Sequence, residues 1–270
     1  MPLLHILLLA IVQGLTEPLP VSSSGHLVLT HRILDGNTVD MCWEQDRTLD
    51  VAMHVGTLFS VLAFYWRDVW AMMTSIFKPK SDGFGMALNL VIASIPVIGA
   101  GFAIHMMQPS FVCLLEIMAW MLVVFGILLW IADKFSPAER TVEQMNWKHA
   151  IIIGIAQCCS LMPGVSRSGA TMTAGRFLGY KRIEAARFSL LLAVVAITGA
   201  GTLTALDLIQ DENAALSNDA ILAGFFAFIA GYGAITFMVK WLQRFTFTPF
   251  AIYRIILGIA VLAMIYTGSL

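Results

Sequence analysis

The chain has 270 residues, 59% of them hydrophobic and only 12% charged, with a formal net charge of -1. About a quarter of the residues of a soluble domain are charged, so a mean hydropathy of +0.81 excludes an ordinary water-soluble fold and points to an integral membrane protein. The near-neutral balance also excludes a basic surface suited to DNA or RNA, and any functional charge must be local.

A membrane-crossing helix needs roughly 20 mostly apolar residues. Residues 2–30 begin apolar, but Glu17, Pro18, Pro20 and the run Ser22-Ser23-Ser24-Gly25-His26 break them near the middle. No Lys or Arg precedes residues 2–12 and no small-residue cleavage site follows, so this stretch is expected to stay in the mature chain. Irregular backbone at membrane depth must be buried in protein or line a watery cavity, which makes 2–30 a re-entrant helix-turn-helix hairpin. Spans are then expected at 49–66, 86–106 and 111–132. A second broken stretch, 147–179, carries "MPGVSRSGAT" at its centre, and further spans are expected at 186–206, 220–239 and 248–268. The expected fold is an all-α integral membrane protein with six transmembrane helices and two re-entrant helical hairpins, forming a single membrane domain over residues 1–270.

Lys and Arg concentrate in 67–85, 133–149, 180–187 and 240–247, whereas "DLIQDENAALSND" from Asp207 to Asp219 has acids and no base. The positive-inside rule makes the basic segments cytoplasmic and the acidic one external. The two broken hairpins also match each other. At a fixed offset Gln13, Val21, Ser22, Ser24 and Gly25 fall on Gln157, Val165, Ser166, Ser168 and Gly169. Three expected spans separate the hairpins, so they should enter from opposite sides. That is an inverted-topology repeat, with halves of about 1–132 and 147–270, in which half-helices meet near the bilayer midplane.

Gln13 and Glu17 stand four apart, on one helical face. Beyond the prolines, Ser22, Ser23, Ser24, Gly25 and His26 bring hydroxyls and an imidazole to a turn. In the second hairpin Pro163 and Gly164 break one half-helix, and Ser166, Arg167, Ser168, Gly169 and Thr171 open the next. Hydroxyls and amides at a helix start beside an Arg fork suit an oxyanion, and phosphate is the natural guest. Serines and glycines in membrane helices also serve packing. Glu17 and Arg167 are less easily explained so, because an ionisable group at membrane depth is costly unless paired or hydrated; an ion pair between the two would be the structural explanation. Cys42, Cys113, Cys158 and Cys159 lack metal-ligand spacing and read as apolar packing. His5, His31, His54, His105 and His149 have no comparable neighbours, solvation accounts for Asp50 and Glu116, and Arg254 is expected to snorkel to the inner surface.

The stretches "VQGLTEPLPVSSSGH" and "PGVSRSGAT" resemble the two signatures of the undecaprenyl-diphosphatase, or bacitracin-resistance, family, whose patterns read (E/Q)xxxE and PGxSRSxxT. Gln13 and Glu17 match the first; Pro163, Gly164, Ser166, Arg167, Ser168 and Thr171 match the second; "FTFTPFAIYR" extends the likeness toward the C-terminus. Many members have Glu where this chain has Gln13, which removes one carboxylate. The resemblance implies a multi-pass enzyme of the bacterial inner (plasma) membrane. Such an enzyme removes one phosphate from the polyprenyl diphosphate carrier of cell-wall synthesis, with a divalent cation, at a pocket open to the periplasm. It leaves a homodimer open and implies no nucleic-acid partner. In that chemistry Arg167 would hold phosphate charge, Glu17 could bind Mg2+ or Ca2+, and Ser23, His26 or an activated water would attack. Gln13, Ser22, Ser24, Gly25, Ser166, Ser168, Gly169 and Thr171 would bind substrate. A flippase of the same lipid is the alternative, since inverted repeats are transporter architecture.

Overall fold

A computed structural model describes residues 2–35, 47–75, 81–107, 114–210 and 218–268. Cys42, Cys113, Lys78, Lys80 and residues 211–217 of the acidic stretch lie outside the described residues. The described chain is all-helical, with one isolated bridge pairing Arg140 and Tyr180.

Helix α1 (Leu3–Thr16) ends where Glu17 closes the last turn, its backbone N–H donating to the Gln13 carbonyl. Pro18 follows; it has no N–H to continue the ladder. After a short turn α2 (Ser23–Asp35) begins. The second hairpin repeats this plan. Asn146 caps α7 (Trp147–Cys158) by accepting from the amides of Lys148 and His149, and a 3-10 turn at Cys159–Leu161 ends it. Gly164 at φ +88° reverses the chain, and Ser166 caps α8 (Arg167–Phe177). A Cβ at Gly164 would stand 2.2 Å from the Met118 carbonyl oxygen, so glycine is required there both for its dihedral and for its size. At 1.5 Å per residue, α1 and α7 reach only about 21 and 18 Å, short of the roughly 30 Å hydrocarbon core.

The remaining helices are α3 (Arg47–Phe64), α4 (Trp66–Ser75), α5 (Asp82–Met107), α6 (Leu115–Phe135), α9 (Arg182–Gln210), α10 (Asn218–Leu242) and α11 (Thr248–Tyr266). Among the described residues four helices are long and apolar enough to cross a membrane, namely α5, α6, α10 and α11, and a fifth span results if α3 and α4 count as one. Those two helices bend by 81° at their junction, so the span expected at 49–66 stops at Phe64 and turns. Helix α9 contains the span expected at 186–206 but is not among the four.

Packing relates the halves crosswise. Helix α1 lies on α10 and α7 on α5; α3 faces α10 and α9, and α6 faces α11. These crossings rely on small residues. A Cβ on Gly14 would meet the Ala227 carbonyl oxygen at 2.6 Å, one on Gly154 the Ala93 carbonyl oxygen at 2.4 Å, and one on Gly56 the Gly224 carbonyl oxygen at 2.1 Å.

The basic segments converge at one end. Buried Asp133, at the end of α6, accepts from Arg176 Nε (3.1 Å), Arg182 Nε (2.7 Å) and the Phe247 amide (2.8 Å), tying together α6, α8, α9 and the start of α11. Arg187 of α9 pairs with Asp68 of α4 and with Glu143 of the loop before α7. At the opposite end of α6, Glu116 accepts from the Tyr266 hydroxyl at 2.5 Å.

Gly56→Ala should destabilise the detergent-solubilised protein by about 1–3 kcal/mol through overpacking. Gly99→Ala, where no atom lies within 4 Å, should be neutral or slightly stabilising. Thermal midpoints measured side by side check this, and equal midpoints for the two variants would contradict the close α3–α10 crossing.

Candidate active site

The two turns are built alike. Ser22 and Ser166 both have positive φ, 76° and 69°, in a region that non-glycine residues seldom occupy. Each uses its hydroxyl to accept from the amide three residues on, Gly25 at 3.4 Å and Gly169 at 3.1 Å. Each hydroxyl also meets that of the residue two on, Ser24 at 3.2 Å and Ser168 at 3.1 Å. Strain of this kind persists only where the surroundings over-determine it. Its effect is to aim the next residue, the first of the following helix. In one hairpin that residue is Ser23, in the other Arg167.

Both side chains reach the same carboxylate. Ser23 donates its hydroxyl to Glu17 Oε2 at 2.5 Å, and Arg167 Nη2 donates to Glu17 Oε1 at 3.1 Å. Gln13, one helical turn back on α1, donates to Oε2 at 3.2 Å. Glu17 and Arg167 keep 11% and 14% of their side-chain surface exposed, so the pair is sheltered but reachable. The turns are further joined where Ser168 donates to the Leu19 carbonyl at 2.9 Å and the Gly164 amide donates to Ser24 Oγ at 3.5 Å. Thr171 meets the Ser189 hydroxyl of α9 at 2.7 Å, and Arg167 Nη1 donates to the Ser189 carbonyl at 3.3 Å.

Every residue singled out at the two turns therefore lies at this junction, with one regrouping. No hydrogen bond joins Ser23 to His26 among the described residues. The His26 ring instead places Nδ1 2.7 Å from the Ser22 carbonyl oxygen and Nε2 2.6 Å from the Tyr253 hydroxyl. The Ser23 hydroxyl has a carboxylate beside it, not an imidazole.

Arg254 does not snorkel. It is fully buried, and its guanidinium donates to the carbonyls of Pro20 (3.4 Å), Gly164 (2.9 Å) and Val165 (2.6 Å), gripping both turns at once. Nε has no partner. The signal is present in the sequence as an Arg inside an apolar span; that it reaches inward depends on α11 packing along α6. Ser189 carries no signal at all.

A shallow crevice lies beside the ion pair. Glu17, Pro18 and Arg167 form one side, Thr57, Ser60 and Val61 of α3 and Leu190, Ala193 and Ile197 of α9 the other. A resident cation is poorly served here. Hard cations take about six oxygen ligands or more, yet both oxygens of Glu17 are engaged, and among the described residues no three His, Cys, Asp or Glu side chains gather as a metal site.

The model of the family described as "Bacitracin resistance protein BacA" matches residues 6–260, which include both turns and α11 as far as Ala260, with Tyr253 and Arg254. The chain belongs to this family. A member from Rhodospirillum rubrum named undecaprenyl-diphosphatase 1 is 41% identical over 277 residues, covering 99% of this chain and 97% of that protein. Members named undecaprenyl-diphosphatase from Ruegeria pomeroyi and Roseobacter denitrificans are 35% and 38% identical, each covering 99% of this chain and 100% of the relative. The bacitracin-resistance signatures of this chain are thus the very segments that meet at Glu17.

Arg254→Met should lower stability by about 2 kcal/mol or more, because three buried carbonyls lose a donor. Arg254→Lys should restore only part, since a single ammonium cannot span two turns as a fork does. An unchanged thermal midpoint in Arg254→Met would show that the grip on the turns is idle.

Proposed function

We propose that this protein is an undecaprenyl-diphosphate phosphatase that releases the terminal phosphate of the lipid diphosphate and returns the lipid monophosphate to cell-wall synthesis. Relatives that carry this activity in their names match over nearly the whole chain. The observation that carries the reading is the Glu17 carboxylate, held between a hydroxyl at 2.5 Å and a guanidinium at 3.1 Å. A flippase moves lipid without bond chemistry and has no use for a carboxylate–serine contact of this kind.

The proposed course uses these groups in two steps. The terminal phosphate takes the Arg167 fork, a geometry suited to two phosphate oxygens. Glu17 thereby loses its ion-pair partner and becomes the base for the Ser23 hydroxyl proton. Ser23 Oγ bonds to the terminal phosphorus while the bridging P–O bond breaks, and the lipid phosphate departs with the electron pair. As a phosphate ester it is a good leaving group. Water then attacks the phosphorylated serine, giving up a proton to His26, and Ser23 Oγ recovers its own proton from Glu17. Gln13 donates to Glu17 throughout and holds its orientation. Ser22, Ser24, Gly25, Ser166, Ser168, Gly169 and Thr171 keep the two turns in register. A divalent cation, Mg2+ or Ca2+, is proposed to arrive with the diphosphate, and no step runs through it.

The site would lie at membrane depth because its substrate does. An isoprenoid tail can remain in lipid while its head enters between α3 and α9, where Val61, Leu190, Ala193 and Ile197 flank the polar pair. We read the whole as one membrane domain with six spans and two re-entrant hairpins, its halves at about 1–132 and 147–270 related as an inverted repeat. The matched strain at Ser22 and Ser166 and the crosswise packing support this. The basic end around Asp133 is assigned to the cytoplasm by its charge and the catalytic mouth to the periplasmic side of the inner membrane. A homodimer remains compatible with this arrangement.

Purified protein in detergent should release inorganic phosphate from undecaprenyl diphosphate, which needs no sealed membrane. Arg167→Lys keeps the charge but not the fork and should lower the rate about a hundredfold, the scale of losing one transition-state donor, while the protein still folds. Lipid transfer in sealed vesicles without phosphate release in detergent would overturn the enzymatic reading.

A further inference from the structure

Tyr253 of α11 and His26 of α2 are 227 positions apart in sequence, and their rings meet with nearly parallel planes. Their ring centroids lie 5.5 Å apart with 15° between the planes. The Tyr253 hydroxyl is 2.6 Å from His26 Nε2, and Nδ1 is 2.7 Å from the Ser22 carbonyl oxygen. A carbonyl only accepts, so Nδ1 carries a proton. The neutral ring then has its lone pair on Nε2, and the tyrosine hydroxyl donates to it. Both nitrogens thus have assigned partners: a half-turn of the ring would put carbons in their places, and the other tautomer would set a lone pair against a carbonyl.

The partners are themselves held. Ser22 sits in the left-handed region with its hydroxyl capping Gly25, so its carbonyl points where the turn dictates. Tyr253 stands next to Arg254, which is anchored beneath both turns by the carbonyls of Pro20, Gly164 and Val165. That anchor sets the height and rotation of α11 and with them the reach of the hydroxyl. Tyr253 remains 45% exposed, so burial alone does not explain its placement.

We propose that Tyr253 is a positioning residue for the phosphatase reaction, holding His26 in the Nδ1-protonated form with Nε2 kept as the proton acceptor. The proposal rests on the reading that His26 takes a proton from the attacking water. When substrate and water fill the site, the hydroxyl yields Nε2 to them; before that it prevents the ring from turning or choosing the other tautomer. The phenylalanine variant isolates this function, because it keeps the stacked ring and removes only the hydroxyl.

Two measurements on the full-length protein in detergent test it. In 15N-histidine spectra, with the His26 signals assigned from His26→Gln, the wild type should show one protonated Nδ1 and one hydrogen-bonded, unprotonated Nε2, and Tyr253→Phe should shift the Nε2 signal to that of an acceptor without the tyrosine bond. Turnover of undecaprenyl diphosphate by Tyr253→Phe should fall about tenfold in kcat with KM within about threefold, the worth of one hydrogen bond, and 3-fluorotyrosine at position 253 should recover most of it. Unchanged His26 signals with unchanged kcat would overturn the proposal, as would a loss of kcat that only tracks a lowered thermal midpoint. If the wild type releases no phosphate at all, the phosphatase reading fails, while the 15N spectra still decide whether Tyr253 holds the ring.

Discussion

One carboxylate organises this molecule. Glu17 stands at the end of a half-helix too short to cross a bilayer, where an unpaired charge would cost several kcal/mol. Its stability there depends on donors that arrive from elsewhere: Ser23 six residues on, Gln13 one turn back and Arg167 from the other hairpin, 150 residues away. The breaks after α1 and α7, the two strained serines and the buried guanidinium of Arg254 all bring those donors to one point. The proposed reaction uses the same geometry, because the ion-pair partner of Glu17 is a group that suits phosphate.

The paired turns illustrate how one local design supports two chemistries. Ser22 and Ser166 share a dihedral, a cap and a neighbouring hydroxyl, so the backbone delivers the next side chain in the same way each time. What differs is that side chain. A hydroxyl at position 23 suits attack on phosphorus, and a guanidinium at position 167 suits holding it. The second hairpin has Gln157 where the first has Gln13, and Gln157 is buried with neither amide atom partnered among the described residues; Leu161 stands where Glu17 follows Gln13. The polar side chains at the two turns therefore differ although the turns are built alike.

Much of this arrangement is legible in the amino-acid sequence. Pro18, Pro20, Pro163 and Gly164 mark the breaks because proline and glycine restrict or free the backbone in known ways. The spacing of Gln13 and Glu17 puts them on one face, where they are hydrogen-bonded. Less legible are contacts decided by packing between distant helices. Ser23 and His26 share the first turn of α2 but bond different partners, Ser23 with Glu17 and His26 with Tyr253, because those partners are brought in by the end of α1 and by α11. That Arg254 reaches inward depends on α11 packing along α6, and α4 beyond its bend from α3 packs on α5; neither long-range contact is written in the local pattern.

The most direct test of Glu17-assisted attack by Ser23 is to quench turnover of undecaprenyl diphosphate carrying radioactive phosphorus in the terminal phosphate and to locate the label on the protein. Label is expected as acid-stable phosphoserine at Ser23, formed in wild type and absent from Ser23→Ala and Glu17→Gln. Acid-labile, base-stable label on His26, or undiminished phosphate release by Ser23→Ala, would contradict it.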